Sequence, residues 1–82
     1  MIYTDPRIEI EKRIKKEYFS QKLFAQKMGV SAQFITDVIK GRRNISLQFA
    51  IKLDSVFPLP QNKMPYSWWT WWNEWLLQEE IK

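Results

Sequence analysis

Apolar residues recur at helical spacing along most of the chain, in five segments separated by capping or helix-breaking residues. The first segment starts at Asp5-Pro6, because Asp caps a helix and Pro is accepted in its first turn. The next three segments each follow a serine suited to N-capping: Ser20, Ser31 and Ser46. Prolines then open a linker over residues 58–65, and a Trp-rich helix is predicted over residues 66–82. The pattern predicts an all-α fold, a compact five-helix bundle.

The apolar positions also predict which side of each helix is buried. In the first helix they are Ile8 and Ile14, with Ile10 and Tyr18 as further candidates. In the second and third helices the inward positions are Phe24, Met28, Val30, Ile35 and Val38. In the fourth helix they are Leu47, Ala50, Leu53 and either Val56 or Phe57. Each helix is therefore expected to use one face for the core and to keep the other in solvent.

The most informative segment is residues 21–41, QKLFAQKMGVSAQFITDVIKG. Two short amphipathic stretches meet there at a tight turn over residues 28–31. Ala25 is small where the two helices should touch, and Gly29 stands where the chain must turn with positive φ, which costs glycine no steric strain. This is the spacing of a helix-turn-helix, in which one helix braces a second whose outer face can enter the DNA major groove.

The residues after this motif, KGRRNIS and FAIKL at positions 40–46 and 49–53, extend the pattern in register. Over about residues 7–57 the chain resembles the lambda-repressor-like helix-turn-helix proteins, the Cro/C1 or XRE-type group. Its later part is most similar to the branch of HigA-type antitoxins and small phage or plasmid repressors. The resemblance implies a domain over residues 1–57 that binds double-stranded DNA, followed by the linker and the Trp-rich helix.

The composition narrows the classes of function. The chain has 82 residues with no Cys, no His and two Gly, so thiolate ligands, imidazole bases and glycine-rich phosphate loops are missing. We therefore expect no enzymatic activity, no metal and no cofactor. There is no run of 18 apolar residues and no signal-peptide pattern at the N-terminus, so we expect a cytoplasmic protein without a membrane partner.

The charge is concentrated in the first part of the chain. Residues 1–63 carry 12 Lys or Arg against 6 Asp or Glu, whereas residues 64–82 carry 1 against 3. Lys40, Arg42 and Arg43 follow the motif directly, where a basic loop can face the phosphates that flank the groove. A solvated loop without a partner is the alternative interpretation of this cluster.

The resemblance also assigns individual contacts. Residues at or near the start of the recognition helix are expected to reach bases: Ser31, Ala32, Gln33, Thr36 and Asp37. Phosphate contacts are expected from Gln21, Lys40, Arg42, Arg43 and Asn44. Gln33 is the strongest base-reading candidate, because its amide can bond adenine at N6 and N7 together. Phe34 can touch a thymine methyl or pack internally, and Asp37 can accept from cytosine or make no contact at all.

Five tryptophans lie within eight residues of the last segment. At about 100° per residue, six large side chains share an arc of roughly 160°: Trp68, Trp69, Trp71, Trp72, Trp75 and Leu76. Some of these rings are expected to cap the domain's own core. The others would form an apolar patch too large for a monomer to leave in water, which predicts a homodimer interface or a contact with another protein.

Three hypotheses of function follow. The first is a dimeric, sequence-specific repressor that binds a palindromic operator, its own promoter included. The second is a HigA-like antitoxin that neutralises a toxin by protein contact and represses its operon. The third is a protein-interaction module that keeps the fold without reading DNA. A steep salt dependence of binding, and an effect of replacing Gln33 or Arg42, would separate the first two from the third.

Overall fold

The computed structural model describes residues 3–62 and 64–81, and this part of the chain contains five α-helices and no strand. The helices are α1 (Pro6–Glu17), α2 (Gln21–Met28), α3 (Ala32–Ile39), α4 (Leu47–Val56) and α5 (Trp68–Ile81). The all-α fold class is thereby confirmed. The chain divides into two compact units. The first is Arg7–Ile45, and the second combines the segment up to Pro6 with the chain from Ser46 onward. We call them the N-terminal unit and the C-terminal unit.

Serine caps set the starts of three helices. The side-chain oxygens of Ser20, Ser31 and Ser46 accept from the backbone N–H three residues later, at 3.2, 3.1 and 3.1 Å respectively. Each cap satisfies one of the N–H groups that the first turn of a helix leaves without a partner. All three predicted N-caps are confirmed.

The turn between α2 and α3 has the predicted conformation. Gly29 adopts a left-handed φ of 72°, and its N–H donates to the carbonyl of Gln26. Val30 donates to the carbonyl of Ala25 at 3.0 Å, which closes the end of α2. Ala25 is fully buried, as expected where two helices pack closely. This short turn therefore connects α2 directly to α3, without a longer loop.

Most predicted inward positions of the N-terminal unit are buried, with three exceptions. The buried set is Ile10, Ile14, Phe24, Ala25, Met28, Ile35 and Val38. Val30 and Tyr18 are only half-buried. Ile8 was expected to be inward but is 69% exposed, so that prediction is wrong. Ile10 and Ile14 lie four residues apart on one face of α1, and Ile8 falls on the opposite side of the helix.

The C-terminal unit joins α4 and α5 with the segment that precedes α1. The side-chain amide of Gln78 in α5 accepts from the N–H of Tyr3 at 2.7 Å and donates to its carbonyl at 2.8 Å. The indole N–H of Trp71 donates to the carbonyl of Thr4 at 2.8 Å. These three bonds fix the N-terminal segment along α5.

The prediction for α4 needs a correction. Leu47 was expected to be inward, but it is 51% exposed, whereas Phe49 is buried beside Ala50 and Leu53. Of the two alternatives at the end of the helix, Phe57 is buried and Val56 is half-buried. At about 100° per residue, apolar residues span roughly 220° of the circumference of α4, which is wider than one buried face, so their spacing alone does not select that face.

Candidate nucleic-acid interface

One side of α3 remains accessible while the other is buried. Ile35 and Val38 are buried, whereas Ala32 and Gln33 are exposed and Thr36 and Asp37 are half-buried. Ser31 is exposed at the N-cap, where its oxygen accepts from Phe34 and its hydroxyl hydrogen stays free to donate elsewhere. The residues predicted to read bases thus lie at the accessible side or the first turn of α3.

Gln33, Asp37 and Arg42 form a network at this surface. The Gln33 amide nitrogen Nε2 donates to Oδ1 of Asp37 at 2.9 Å. The Nε group of Arg42 donates to the same oxygen at 3.1 Å, which makes an ion pair with an exposed arginine. The structure therefore brings together a predicted base reader and a predicted phosphate contact through one carboxylate.

The network changes the acidity of Asp37. The Gln33 amide and, next, the Arg42 guanidinium donate to the carboxylate and hold the pKa of Asp37 below its ordinary value of 3.8. Asp37 therefore stays ionised at neutral pH and offers only acceptor atoms. Because the pKa is lowered on folding, these contacts stabilise the fold above the ordinary pKa and are lost as the pH falls through the lowered value.

Gln21 and Thr36 are held together where α2 and α3 pack. The Thr36 hydroxyl lies 2.8 Å from Oε1 of Gln21 and 3.1 Å from the carbonyl of Ala32. When the hydroxyl donates to Gln21, the Nε2 group of Gln21 keeps both of its hydrogens. That group is the donor a phosphate contact requires.

Phe34 supports the basic loop that follows α3. The guanidinium carbon of Arg43 lies 4.8 Å from the centroid of the Phe34 ring, over its face. A cation in this position is attracted by the ring, by about 0.5–1 kcal/mol at an exposed site. This contact lies at the surface, and both interpretations of Phe34, a thymine contact or internal packing, stay predictions.

The basic loop contains four exposed side chains that were predicted to contact phosphate: Lys40, Arg42, Arg43 and Asn44. The loop turns at Gly41, whose φ of 81° lies in the left-handed region. The guanidinium of Arg7 lies over this glycine, where a Cβ would collide with Nη1. Arg7 is therefore a fourth cation at the loop.

Arg7 was not among the predicted site residues. A cation in the first turn of a helix is disfavoured by the helix dipole, but this mismatch does not indicate which residue the cation contacts. The contact between Gln33 and Asp37 was also missed, although residues four apart on a helix are neighbours.

The predicted interface residues of α5 divide into two sets. Trp68, Trp71, Trp72 and Trp75 are buried within the single chain, with exposed fractions of 0, 9, 2 and 8%. Trp69 is 37% exposed and Leu76 is half-buried. A partner interface is therefore not supported for the four buried rings, because their surface is already covered. The hypothesis is kept for Trp69 and Leu76, which border exposed Leu77 on one side of α5.

A helix-turn-helix family model matches residues 10–60, which is more than half of the chain. The chain belongs to the Cro/C1-like helix-turn-helix family. No curated protein and no solved structure gives a significant match. Proteins of this family are DNA-binding transcriptional regulators, typically without enzymatic activity.

The helix-turn-helix match covers α2, α3, the basic loop and α4, and it ends before α5. All residues of the Gln33–Asp37–Arg42 network lie inside it. The Trp-rich helix α5 lies outside it. Among the described helices, none is both long and apolar enough to cross a membrane.

Proposed function

We propose that this helix-turn-helix protein is a sequence-specific repressor that binds a palindromic operator as a homodimer and controls its own promoter. The observation that carries the proposal is the exposed Gln33 amide on α3, with basic residues on the adjoining loop. The amide supplies base discrimination, and the cations supply affinity for the phosphate backbone. A repressor of this kind acts by occupying the promoter, so it needs neither catalysis nor a small ligand.

Each group has a stated role in the proposed complex. Gln33 bonds adenine in the major groove, and Ser31, Ala32 and Thr36 contact neighbouring base edges or methyl groups. Backbone phosphates are bound by Gln21, Lys40, Arg42, Arg43 and Asn44, with Arg7 as an addition from the structure. Asp37 contacts no base in this scheme, because its observed partners are Gln33 and Arg42.

Dimerisation supplies the discrimination that one recognition helix lacks. Two copies related by a two-fold axis read half-sites about 34 Å apart, one turn of the DNA helix. The proposed contact surface is the side of α5 that bears Trp69, Leu76 and Leu77, where apolar surface stays accessible. Aromatic anchors of this kind are enriched at the centres of protein interfaces.

Selection of binding sites from a random duplex library at moderate salt tests the repressor hypothesis. Enrichment of a palindrome with half-sites about one helical turn apart supports both DNA reading and a symmetric dimer. A folded protein that enriches no sequence contradicts the proposal. Enrichment of a non-palindromic site supports sequence-specific DNA binding and contradicts the symmetric dimer.

An antitoxin role is the second candidate, and one observation favours it. Apolar side chains of the C-terminal unit remain exposed outside the proposed DNA surface, including Leu47, Ile51 and Leu77. A toxin bound to these side chains would use none of the α3 residues proposed to read the operator. Co-expression with the product of an adjacent small gene, followed by size-exclusion chromatography, tests this role. Co-elution in a defined ratio supports it, and separate elution contradicts it.

A further inference from the structure

Asp37 is the only charged residue of α3, and its charge is opposite to the one that DNA attracts. A carboxylate on the accessible side of a recognition helix repels phosphate. The structure nevertheless places it between the Gln33 amide and the Arg42 guanidinium, both of which donate to Oδ1. Its position therefore needs an explanation other than phosphate contact.

We propose that Asp37 is a positioning residue that orients the Gln33 amide for adenine and holds Arg42 back from phosphate until DNA is bound. The proposal rests on the repressor function and deepens it. The proposal concerns the specificity of DNA binding. Asp37 would affect both the preference for adenine at one position and the affinity for unrelated DNA.

The orienting role follows from hydrogen-bond chemistry. An ionised carboxylate accepts and never donates, so only the Nε2 end of the Gln33 amide can face it. A flipped amide would place Oε1 against Oδ1, two acceptors in repulsion. With one N–H bound to Asp37, the other N–H and Oε1 remain. They form the donor and acceptor pair that N7 and N6 of adenine require.

The restraining role follows from the exposure of the ion pair. The Arg42 side chain is 58% exposed and contacts Asp37 through a single Nε–Oδ1 distance of 3.1 Å. An exposed pair with one contact is weak, so a phosphate can replace the carboxylate. Non-specific duplex must break this pair without gaining the Gln33–adenine bonds in return. Asp37 therefore lowers affinity for wrong sequences more than for the operator.

Four proteins test the proposal on the duplex selected by wild type. Wild type, Asp37→Ala, Asp37→Asn and Glu9→Ala are compared on the selected duplex, on one with the adenine replaced, and on an unrelated duplex, across a salt series. Glu9→Ala is the matched control: it removes one negative charge and the 2.8 Å ion pair of Glu9 with Arg13 on α1. Far-UV circular dichroism checks that each variant is folded.

Asp37→Ala should lose about tenfold of the preference for adenine. It should bind unrelated duplex roughly five- to tenfold more tightly at 0.1 M salt, with a salt slope steeper by about one unit. Asp37→Asn should reproduce the salt effect and lose only part of the preference, because its amide can still accept from Gln33. Glu9→Ala should leave both the preference and the slope unchanged.

Three results separate the possible failures. If wild type prefers a site and Asp37→Ala keeps the same preference and slope, the inference on Asp37 is wrong while the repressor function stands. If wild type prefers no sequence, the repressor function fails, and the inference fails with it. The NMR signals of the Gln33 side-chain amide give a test without DNA. They should shift as Asp37 titrates, and signals that do not respond overturn the contact itself.

Discussion

The two units of this protein use polar groups in opposite ways. In the N-terminal unit, hydrogen bonds such as Gln33–Asp37 and Thr36–Gln21 lie at or near the surface and join side chains to side chains. In the C-terminal unit, the polar atoms of Trp68 and Trp71 bond backbone carbonyls, and the rings themselves are buried. The first kind of bond can be exchanged for a ligand, whereas the second cannot be broken without loss of packing.

This difference predicts that stability and DNA recognition depend on different residues. Trp68 and Trp71 stack with centroids 5.1 Å apart, and Trp72 meets Trp75 edge to face at 5.8 Å. Such pairs stabilise a fold beyond the area that they bury. Exposed ion pairs such as Arg42–Asp37 contribute little to stability, so they are free to serve binding. Variants of the two units should therefore have separable effects.

The largest effect is expected from truncation of a buried ring. Trp68→Ala should destabilise the protein by about 3–5 kcal/mol, because it leaves a cavity and removes the bond to the Phe57 carbonyl. The matched variant Trp69→Ala should cost less than about 1 kcal/mol, since this ring is partly exposed. Urea unfolding followed by far-UV circular dichroism measures both. Equal losses at the two positions would contradict the assignment of Trp68 to the core.

A finer comparison separates ring volume from hydrogen bonding. Trp68 Nε1 donates to the carbonyl of Phe57 at 2.7 Å, whereas the buried Nε1 of Trp72 has no hydrogen-bond partner among the residues that the structure describes. Trp68→Phe should therefore cost about 1–3 kcal/mol more than Trp72→Phe, because only Trp68→Phe removes a buried hydrogen bond. Chemical denaturation of the two variants measures the difference. A larger loss for Trp72→Phe would show that Trp72 Nε1 has an acceptor in solution.

In the N-terminal unit the expected effects fall on binding. Gln33→Ala should lose about 1–3 kcal/mol of discrimination at one base position and keep its affinity for unrelated duplex. Arg42→Ala should weaken every duplex and flatten the salt slope by about 0.9, because it removes one phosphate contact. Fluorescence anisotropy across a salt series measures both. Identical profiles for the two variants would refute the division between base reading and phosphate contact.

The smallest effect concerns the acidity of Asp37. Its pKa should lie below 3.8 in the wild type and rise towards that value in Gln33→Ala, and to a lesser degree in Arg42→Ala. NMR titration of the side-chain carboxyl carbon follows this directly. A pKa that neither variant changes would show that the network seen at the surface does not form in solution.

Local chemistry made the helix-turn-helix predictable. Three serine caps and Gly29 were read from the sequence, because capping and positive φ depend on the residue itself and its nearest neighbours. The inward faces of α2 and α3 followed from amphipathic spacing, since polar residues occupy the other side. In this region, composition and periodicity indicate the same structure.

Two other features were not predictable in the same way. Leu47 and Phe49 both lie in α4, and only tertiary packing decides that Phe49 is buried and Leu47 exposed. Six large side chains share one arc of α5, and their spacing did not predict which of them are buried in the core and which lie at its edge. The contact of Arg7 with the Gly41 loop joins residues far apart in sequence, so no local pattern shows it.

Titration of the ¹⁵N-labelled protein with its selected duplex tests the central claim, that recognition lies in the N-terminal unit and the buried tryptophans serve stability. We predict shifts of the Gln33 side-chain amide and of backbone amides in residues 31–33 and 40–44. The indole N–H signals of Trp68 and Trp71 should stay in place, since both donate to backbone carbonyls within the C-terminal unit. Large indole shifts with an unchanged Gln33 amide would contradict the account.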